Sequence, residues 1–235
     1  MNKKEEKKKK ADFVKRIFRN TGSSYDSIVE ITTFWQDRSW KKRILKLTDL
    51  CDNPKEILDL ACGTGIVTLA LAEKFPHSRV AGIDLQEEYL THARAKQLQK
   101  GIRNAEFYQG NAEDTNTGVY DLITASYLPK YVDMDTVISN CSRMMRTGGL
   151  LIFHDFVYPE KRIFQLFYEM YWFFLRPFLW VLVPWREVSR ELKRVIVETA
   201  WLDEMQKALI KHGFINVRVE VQRFQVAAIV YARKG

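Results

Sequence analysis

"LDLACGTGIV" (Leu58–Val67) is the stretch on which the fold turns. It closes a short apolar run, turns on two glycines and passes into "GIVTLALAEKF", whose apolar residues recur at helical spacing until Pro76. A buried strand, a tight turn and a helix are therefore predicted in that order. Gly63 and Gly65 let the backbone bend sharply and approach a ligand at the open N–H groups of the helix start. The rhythm continues outward. "RVAGIDL" reads as a second strand and "EEYLTHARAKQLQKG" as a helix ending at Gly101. "AEFYQG", "YDLITASY" and "GGLLIFHDF" are three further strands, the last preceded by the helix of "DMDTVISNCSRMMRTGG". Two helical stretches, "WREVSRELKRVIVE" and "LDEMQKALIKHG", lead to a closing pair of strands, "FINVRVEV" and "QVAAIVYARK". Alternation of this kind implies a doubly wound α/β fold, a mostly parallel sheet with helices on both faces.

A chain of 235 residues, 46% hydrophobic and 28% charged, suits one globular domain, here expected over 13–235. The net charge of +8 is concentrated in two places. Residues 1–20 carry nine Lys/Arg against three Asp/Glu, and residues 161–194 seven against three, so the remainder is slightly acidic. The run "MNKKEEKKKKADFVKR" has no apolar core and is not a secretory signal. Residues 1–12 are expected to be a basic, disordered tail, either simply solvated or drawn to anionic lipid head groups. Nucleic acid is not an expected partner, because no recognition module is visible. Cys51, Cys62 and Cys141 are odd in number and widely spaced, which suits a reducing, cytoplasmic compartment and no metal site.

The glycine turn could cradle a dinucleotide, but the third glycine of that fingerprint would fall at Thr68. Its surroundings point elsewhere. Asp59 precedes the loop, and "GIDL" places Asp84 at the end of the next strand, where a carboxylate can accept both hydroxyls of a ribose. "GNAED" puts Asn111 where an amide can read an adenine edge. The set describes a nucleoside site without a pyrophosphate cradle, and S-adenosylmethionine fits it.

Taken together, "ILDLACGTG", "GIDL", "GNAED", "YDLITASYL", "MMRTGGLLIF" and "KHGFINVRV" resemble the class I S-adenosylmethionine-dependent methyltransferases over about residues 55–235. The resemblance implies their Rossmann-like, seven-stranded sheet, here with an N-terminal helical segment and an aromatic helical insertion (161–198) after strand five. The nearer resemblance is to the ubiquinone/menaquinone biosynthesis C-methyltransferases. It reaches into "FRNTGSSYDSIVEITTFWQDRSWKK" through Phe18, Tyr25-Asp26 and Arg38-Ser39-Trp40-Lys41, and includes "HDFVYP". It implies that Thr64, Asp84, Asn111, Ala112 and Ser126 contact the cofactor, with Asp59, Gly63 and Gly65 following from the wider superfamily. Two stretches depart from the family. Tyr127-Leu128-Pro129-Lys130-Tyr131 replaces a Phe-Gly-Leu-Arg-Asn run, and "EVSRELKRVIVE" replaces a Tyr/Leu/Pro/Ser-bearing stretch before the final helix. Both would face the acceptor.

Methylating a hydroquinone carbon is helped by loss of a phenolic proton, so a base or cation is sought near the ring oxygen. Lys130, His154 and Asp155, at the carboxyl ends of strands four and five, are the candidates: Lys130 to stabilise a phenolate, His154 or Asp155 to take the proton. The acceptor expected from the resemblance is a prenylated quinol. A different lipid, such as a phospholipid amine boxed by aromatic rings, is the second reading. A non-catalytic cofactor-binding subunit of a membrane complex is the third, and a homodimer is left open.

"FYEMYWFFLRPFLWVLVPW" (Phe167–Trp185) holds nine of the chain's 30 aromatic residues. Arg176-Pro177 and Pro184 break it into pieces too short for a transmembrane helix, which needs about 20 apolar residues. Phe164, Phe167, Tyr168, Tyr171 and Leu175 recur on one helical face, with Gln165, Glu169 and Arg176 opposite. A core helix is one reading. The other is an amphipathic cover that walls the acceptor pocket and dips into a membrane interface, making the protein peripherally membrane-associated.

Overall fold

The computed structural model describes residues 3–235. Seven strands form one sheet in the order β3-β2-β1-β4-β5-β7-β6. β1 (Glu56–Leu60), β2 (Arg79–Asp84), β3 (Ala105–Gln109), β4 (Tyr120–Ser126) and β5 (Met145–Phe156) are parallel. β6 (Phe214–Val221) and β7 (Ala227–Lys234) are antiparallel to each other, and β7 is antiparallel to β5. The seven-stranded, mostly parallel sheet expected from the sequence is therefore present, with the order reversing between β1 and β4. At such a reversal the neighbouring connections leave for opposite faces and open a crevice above the strand ends.

Both faces are covered. α3 (Gln36–Leu47), α4 (Ile66–Lys74) and α5 (Glu87–Lys100) pack through Ile44, Leu69 and Leu90 against Ile57, Leu122 and Ile152. On the other face α6 (Met134–Met144) and α9 (Trp201–Lys211) bury Val137, Cys141, Trp201 and Met205 against Leu58, Ile123 and Phe153. α6 begins at Asp133, whose side chain accepts from the Thr136 N–H, a cap worth about 1 kcal/mol.

Two expectations change. Of the disordered tail expected over residues 1–12, residues 1–2 lie outside the described residues and the rest is helical, in α1 (Lys3–Ile17). Glu5–Lys9 and Glu6–Lys10 pairs, four residues apart, support the helix locally, and Ile17 is fully buried at its end. The aromatic run, read as interrupted at Arg176-Pro177, is one helix, α7 (Arg162–Val181), that continues through Pro177. Proline has no N–H to offer the Phe173 carbonyl, and both residues lie on the exposed side of the helix. α8 (Arg186–Glu198) follows, and with α2 (Tyr25–Thr32) it holds α7 over the carboxyl ends of β4 and β5. Among the described residues no helix is long and apolar enough to cross a membrane.

Candidate active site

The glycine loop after β1 is held by side chains on both flanks. Asp59, buried in β1, accepts from Thr68 Oγ1 of α4 at 2.6 Å and from Thr124 Oγ1 of β4 at 2.7 Å. Thr68 thus occupies the third-glycine position with a strut between strand and helix. Gly63 and Gly65 both have positive φ (55° and 81°), and a Cβ on Gly65 would meet Ala93 at 2.9 Å and the Phe107 ring at 3.1 Å. Gly63 instead faces open space beside Asp84, with nothing closer than 3.9 Å to a Cβ there. That gap is the cradle a close-lying ligand requires.

Asp84, at the tip of β2, accepts from the Gly63 N–H and the Gln86 N–H, each at 2.8 Å. Burial nevertheless pushes its carboxyl up to about 6. With Gly63, Asn111, Ala112 and Ser126 it lines a cleft over the ends of β1, β2 and β4. Asn111 turns its Oδ1 to the Glu113 N–H at 3.0 Å, which leaves its amide NH2 free to read a base. The remaining sequence candidates stand behind the wall. Asp59 and Thr68 brace it, Gly65 packs on Phe107, and Thr64 Oγ1 donates to Asp26 at 2.5 Å. Asp26 also pairs with Lys96 of α5, so α2 is tied to the loop. Lys10, Ala11 and Val14 of α1, with Phe18 just beyond it, line the cleft, whose free space is about 100 Å³.

A second, larger cavity of about 470 Å³ lies beneath α7 and α8, within the 300–1,000 Å³ usual for small-molecule sites. Its wall is almost entirely aromatic and aliphatic, including Ile28, Trp40, Phe156, Tyr168 and Trp172. Phe18, Tyr25, Tyr127 and Tyr131 line both spaces, so the two meet across these four rings. Tyr127 takes a left-handed φ of 63° at the end of β4, and its hydroxyl donates to Asp37 at 2.7 Å. A strained non-glycine residue at the meeting point is a common mark of a working site.

Lys130 is the one charged residue lining the larger cavity among the described residues. Its side chain is only 2% exposed, so it is no solvated loop lysine. Nζ donates to Asp155 Oδ1 at 2.5 Å and to the Tyr127 carbonyl at 3.0 Å, and it sits 4.5 Å from the Tyr131 ring centroid. Burial lowers the lysine and raises the aspartate, while their mutual attraction opposes both shifts. An ammonium has three hydrogens, so one is left for the cavity.

Asp155 caps no helix; it is fully buried and committed to Lys130. His154 lines neither space. Its ring lies 5.2 Å from Trp40 and 5.0 Å from Tyr127, both ring nitrogens lack partners, and burial pushes it down to about 3. It is neutral at working pH. Lys130 and Asp155, candidates for separate roles in the sequence, are one buried ion pair, and Tyr127 and Tyr131, in a stretch expected to face the acceptor but not singled out as site residues, line both spaces. Their signal was the departure from the family run at those positions.

A Rossmann-like sheet with a ribose-type carboxylate, a glycine cradle and an adjoining apolar cavity defines a class I methyltransferase that depends on S-adenosylmethionine. The ubiE/COQ5 methyltransferase family model matches residues 1–234, and the chain belongs to that family. It is 33% identical to the demethylmenaquinone methyltransferase of Lactococcus lactis over 94% of this chain and 90% of that one. It is 30% identical to the protein of the same name from Thermus thermophilus, over 91% and 97%. Among solved structures, geranyl diphosphate C-methyltransferase from Streptomyces coelicolor shares the fold at TM-score 0.61 and 12% identity, covering 87% of this chain and 82% of that one.

Proposed function

We propose that this methyltransferase places a methyl group on a ring carbon of a prenylated quinol, of the demethylmenaquinone or ubiquinone-precursor kind, while peripherally bound at the cytoplasmic membrane surface. The observation that carries this is the junction: a cleft that holds the Asp84 carboxylate and Asn111 meets an apolar cavity across Phe18, Tyr25, Tyr127 and Tyr131, with one cation beside it. Asp84, Asn111, Ala112 and Ser126 would hold the cofactor, with Gly63 giving it room. The bound cofactor supplies an electrophilic methyl group on a sulfonium.

The chain's own contribution is positioning and exclusion of water. The aromatic wall takes the ring and the first part of its tail. Lys130, with its third hydrogen turned to the cavity, holds a ring oxygen as a phenolate, which makes the neighbouring carbon nucleophilic. Asp155 lies behind Lys130, off the cavity wall, and sets the ammonium in place, so a phenolic proton would reach it only by relay through Lys130 Nζ; the Trp40 and Tyr127 rings cover His154.

A phospholipid amine fits the cavity less well. Its cationic nitrogen would face Lys130 with no carboxylate on the wall to receive it. The deciding experiment incubates the protein with methyl-labelled S-adenosylmethionine and a total lipid extract, then identifies the labelled product. Label in a quinone supports the proposal. Label in a phospholipid favours the second reading, and tight cofactor binding with no labelled lipid leaves a non-catalytic subunit.

A further inference from the structure

α7 has two apolar sides. Tyr168, Trp172 and Leu179 are buried toward the cavity, whereas Leu166, Met170, Phe173, Phe174 and Val181 project outward and are exposed. The polar residues expected opposite the inward face, Gln165, Glu169 and Arg176, form only a narrow stripe, and beside it lies a second apolar side. At about 100° per residue, the outward apolar residues, with Phe167 and Phe178, span an arc of roughly 140°. Phe173 is 74% exposed, and a contiguous apolar surface of this kind marks an interaction site.

Two turns extend it. Phe34 and Trp35, between α2 and α3, are 66% and 56% exposed and both have positive φ (50° and 59°). Phe224, between β6 and β7, is 52% exposed with φ of 61°. Left-handed backbone is uncommon for bulky residues, so these aromatics are held outward against a local cost. Phe34, Phe167 and Phe224 also line the cavity, which makes them its mouth. Phe34 contacts Tyr171 at 6.0 Å, and Phe224 contacts Phe164 of α7 at 6.1 Å.

The charge around this surface is positive. The acidic side chains of α7 and α8 are each tied to a basic neighbour: Glu169 to Lys193, Glu187 to Arg190, and Glu191 and Glu198 to Arg194. Arg162, Arg176, Arg186 and Arg223 have no carboxylate partner among the described residues. Arg186 lies over the Trp180 ring at 4.9 Å and Arg223 over Phe224 at 5.9 Å, so cations and aromatics are paired at the rim. Each basic side chain near an anionic bilayer strengthens attachment roughly fivefold.

From the exposed arc, the two strained turns and the unpaired arginines, we infer that this surface docks on an anionic lipid bilayer. The cavity mouth then opens into the acyl layer, and a lipid acceptor passes in sideways without crossing water. The inference rests on reading the cavity as the acceptor site, but its test does not. Phe173→Ser/Phe174→Ser and Arg162→Gln/Arg176→Gln alter the outer surface alone.

Wild type and variants are sedimented with vesicles of equal parts phosphatidylcholine and phosphatidylglycerol, and with phosphatidylcholine alone. Wild type is expected to bind the anionic vesicles, the Phe variant about tenfold or more weakly, and the Arg variant to lose its preference for anionic lipid. Cofactor affinity and turnover of a short-tailed, detergent-soluble quinol should stay at wild-type values, while turnover of a vesicle-embedded quinol falls. Vesicle binding without turnover of any quinol would sink the proposed acceptor and leave the docking surface standing. No binding by wild type, or equal binding by the Phe variant, overturns the inference. So does a wild-type dimer in solution that the Phe variant splits, because the face would then meet a second copy.

Discussion

The cofactor cleft and the acceptor cavity share four aromatic rings but are built from different materials. The cleft is made by backbone. Its glycine turn, its helix start and the Asp84 carboxylate follow from where β1, β2 and β4 end. The cavity is made by bulk, from rings on α2, α7 and α8 that pack around a space of about 470 Å³. The first allows few substitutions at a few positions. The second tolerates many, provided the space and its one buried ion pair survive. If the halves are separable in this way, damage to one should leave the other intact.

The largest separation is expected at Lys130. Lys130→Ala strands the fully buried Asp155 carboxylate, and breaking a buried pair from one side costs about 3–5 kcal/mol of folding stability. Lys130→Met/Asp155→Leu removes both charges and should return to within about 1 kcal/mol of wild type by urea unfolding. That double variant is expected to bind the cofactor normally yet transfer no methyl group to a quinol. Calorimetry showing cofactor affinity lost along with turnover would mean that the pair serves both halves.

Asp84 tests the other side. Asp84→Asn should weaken cofactor binding about 100-fold, by loss of charge-assisted bonds to ribose hydroxyls, and leave vesicle binding unchanged. The wild-type affinity should itself depend on pH. The carboxyl, at about 6 in the free protein, must be ionised to accept two hydroxyls, so affinity falls as pH drops below 6 and by up to about tenfold per unit. Stability of the free protein runs the opposite way. A carboxyl raised from about 3.9 holds a proton that the unfolded chain has already released, so folding stability declines as pH rises from about 4 to 6. Calorimetric titration between pH 5 and 8 would show a slope in wild type and none in Asp84→Asn.

This division also explains what the sequence could and could not tell. "LDLACGTG" and "GIDL" announce themselves because glycine and a strand-end carboxylate are required there by local geometry. The sheet was legible for the same reason, strand by strand. Asp59 and Thr64 were legible as members of the loop but not in their roles. Whether a carboxylate faces ligand or two threonines depends on Thr68 and Thr124, the latter 65 residues away. α1 was hidden because its docking against the cofactor cleft is a tertiary contact that a lysine-rich run gives no sign of. In α7, one apolar stripe was visible in the pattern, and the second was masked by it. Only packing decides that Trp172 turns inward and Phe173 outward.

Tyr131 offers the smallest effect and the sharpest test of where the two halves meet. Its hydroxyl is buried without a partner although the residue lines both spaces. Burial, with Asp155 and Tyr25 nearby, holds the phenol well above its ordinary range, so it is a neutral donor at working pH. An unpaired buried hydroxyl costs about 1–3 kcal/mol, and replacing it by hydrogen at constant shape removes that cost. If the hydroxyl were merely trapped in packing, Tyr131→Phe would stabilise the protein and leave catalysis alone. If it is kept to donate to a ring oxygen of the acceptor, the same variant becomes more stable by about 1 kcal/mol while kcat/KM for the quinol falls about tenfold. Cofactor affinity should not change in either case. Opposite signs in stability and turnover would place the hydroxyl in the acceptor site, because no packing role produces both.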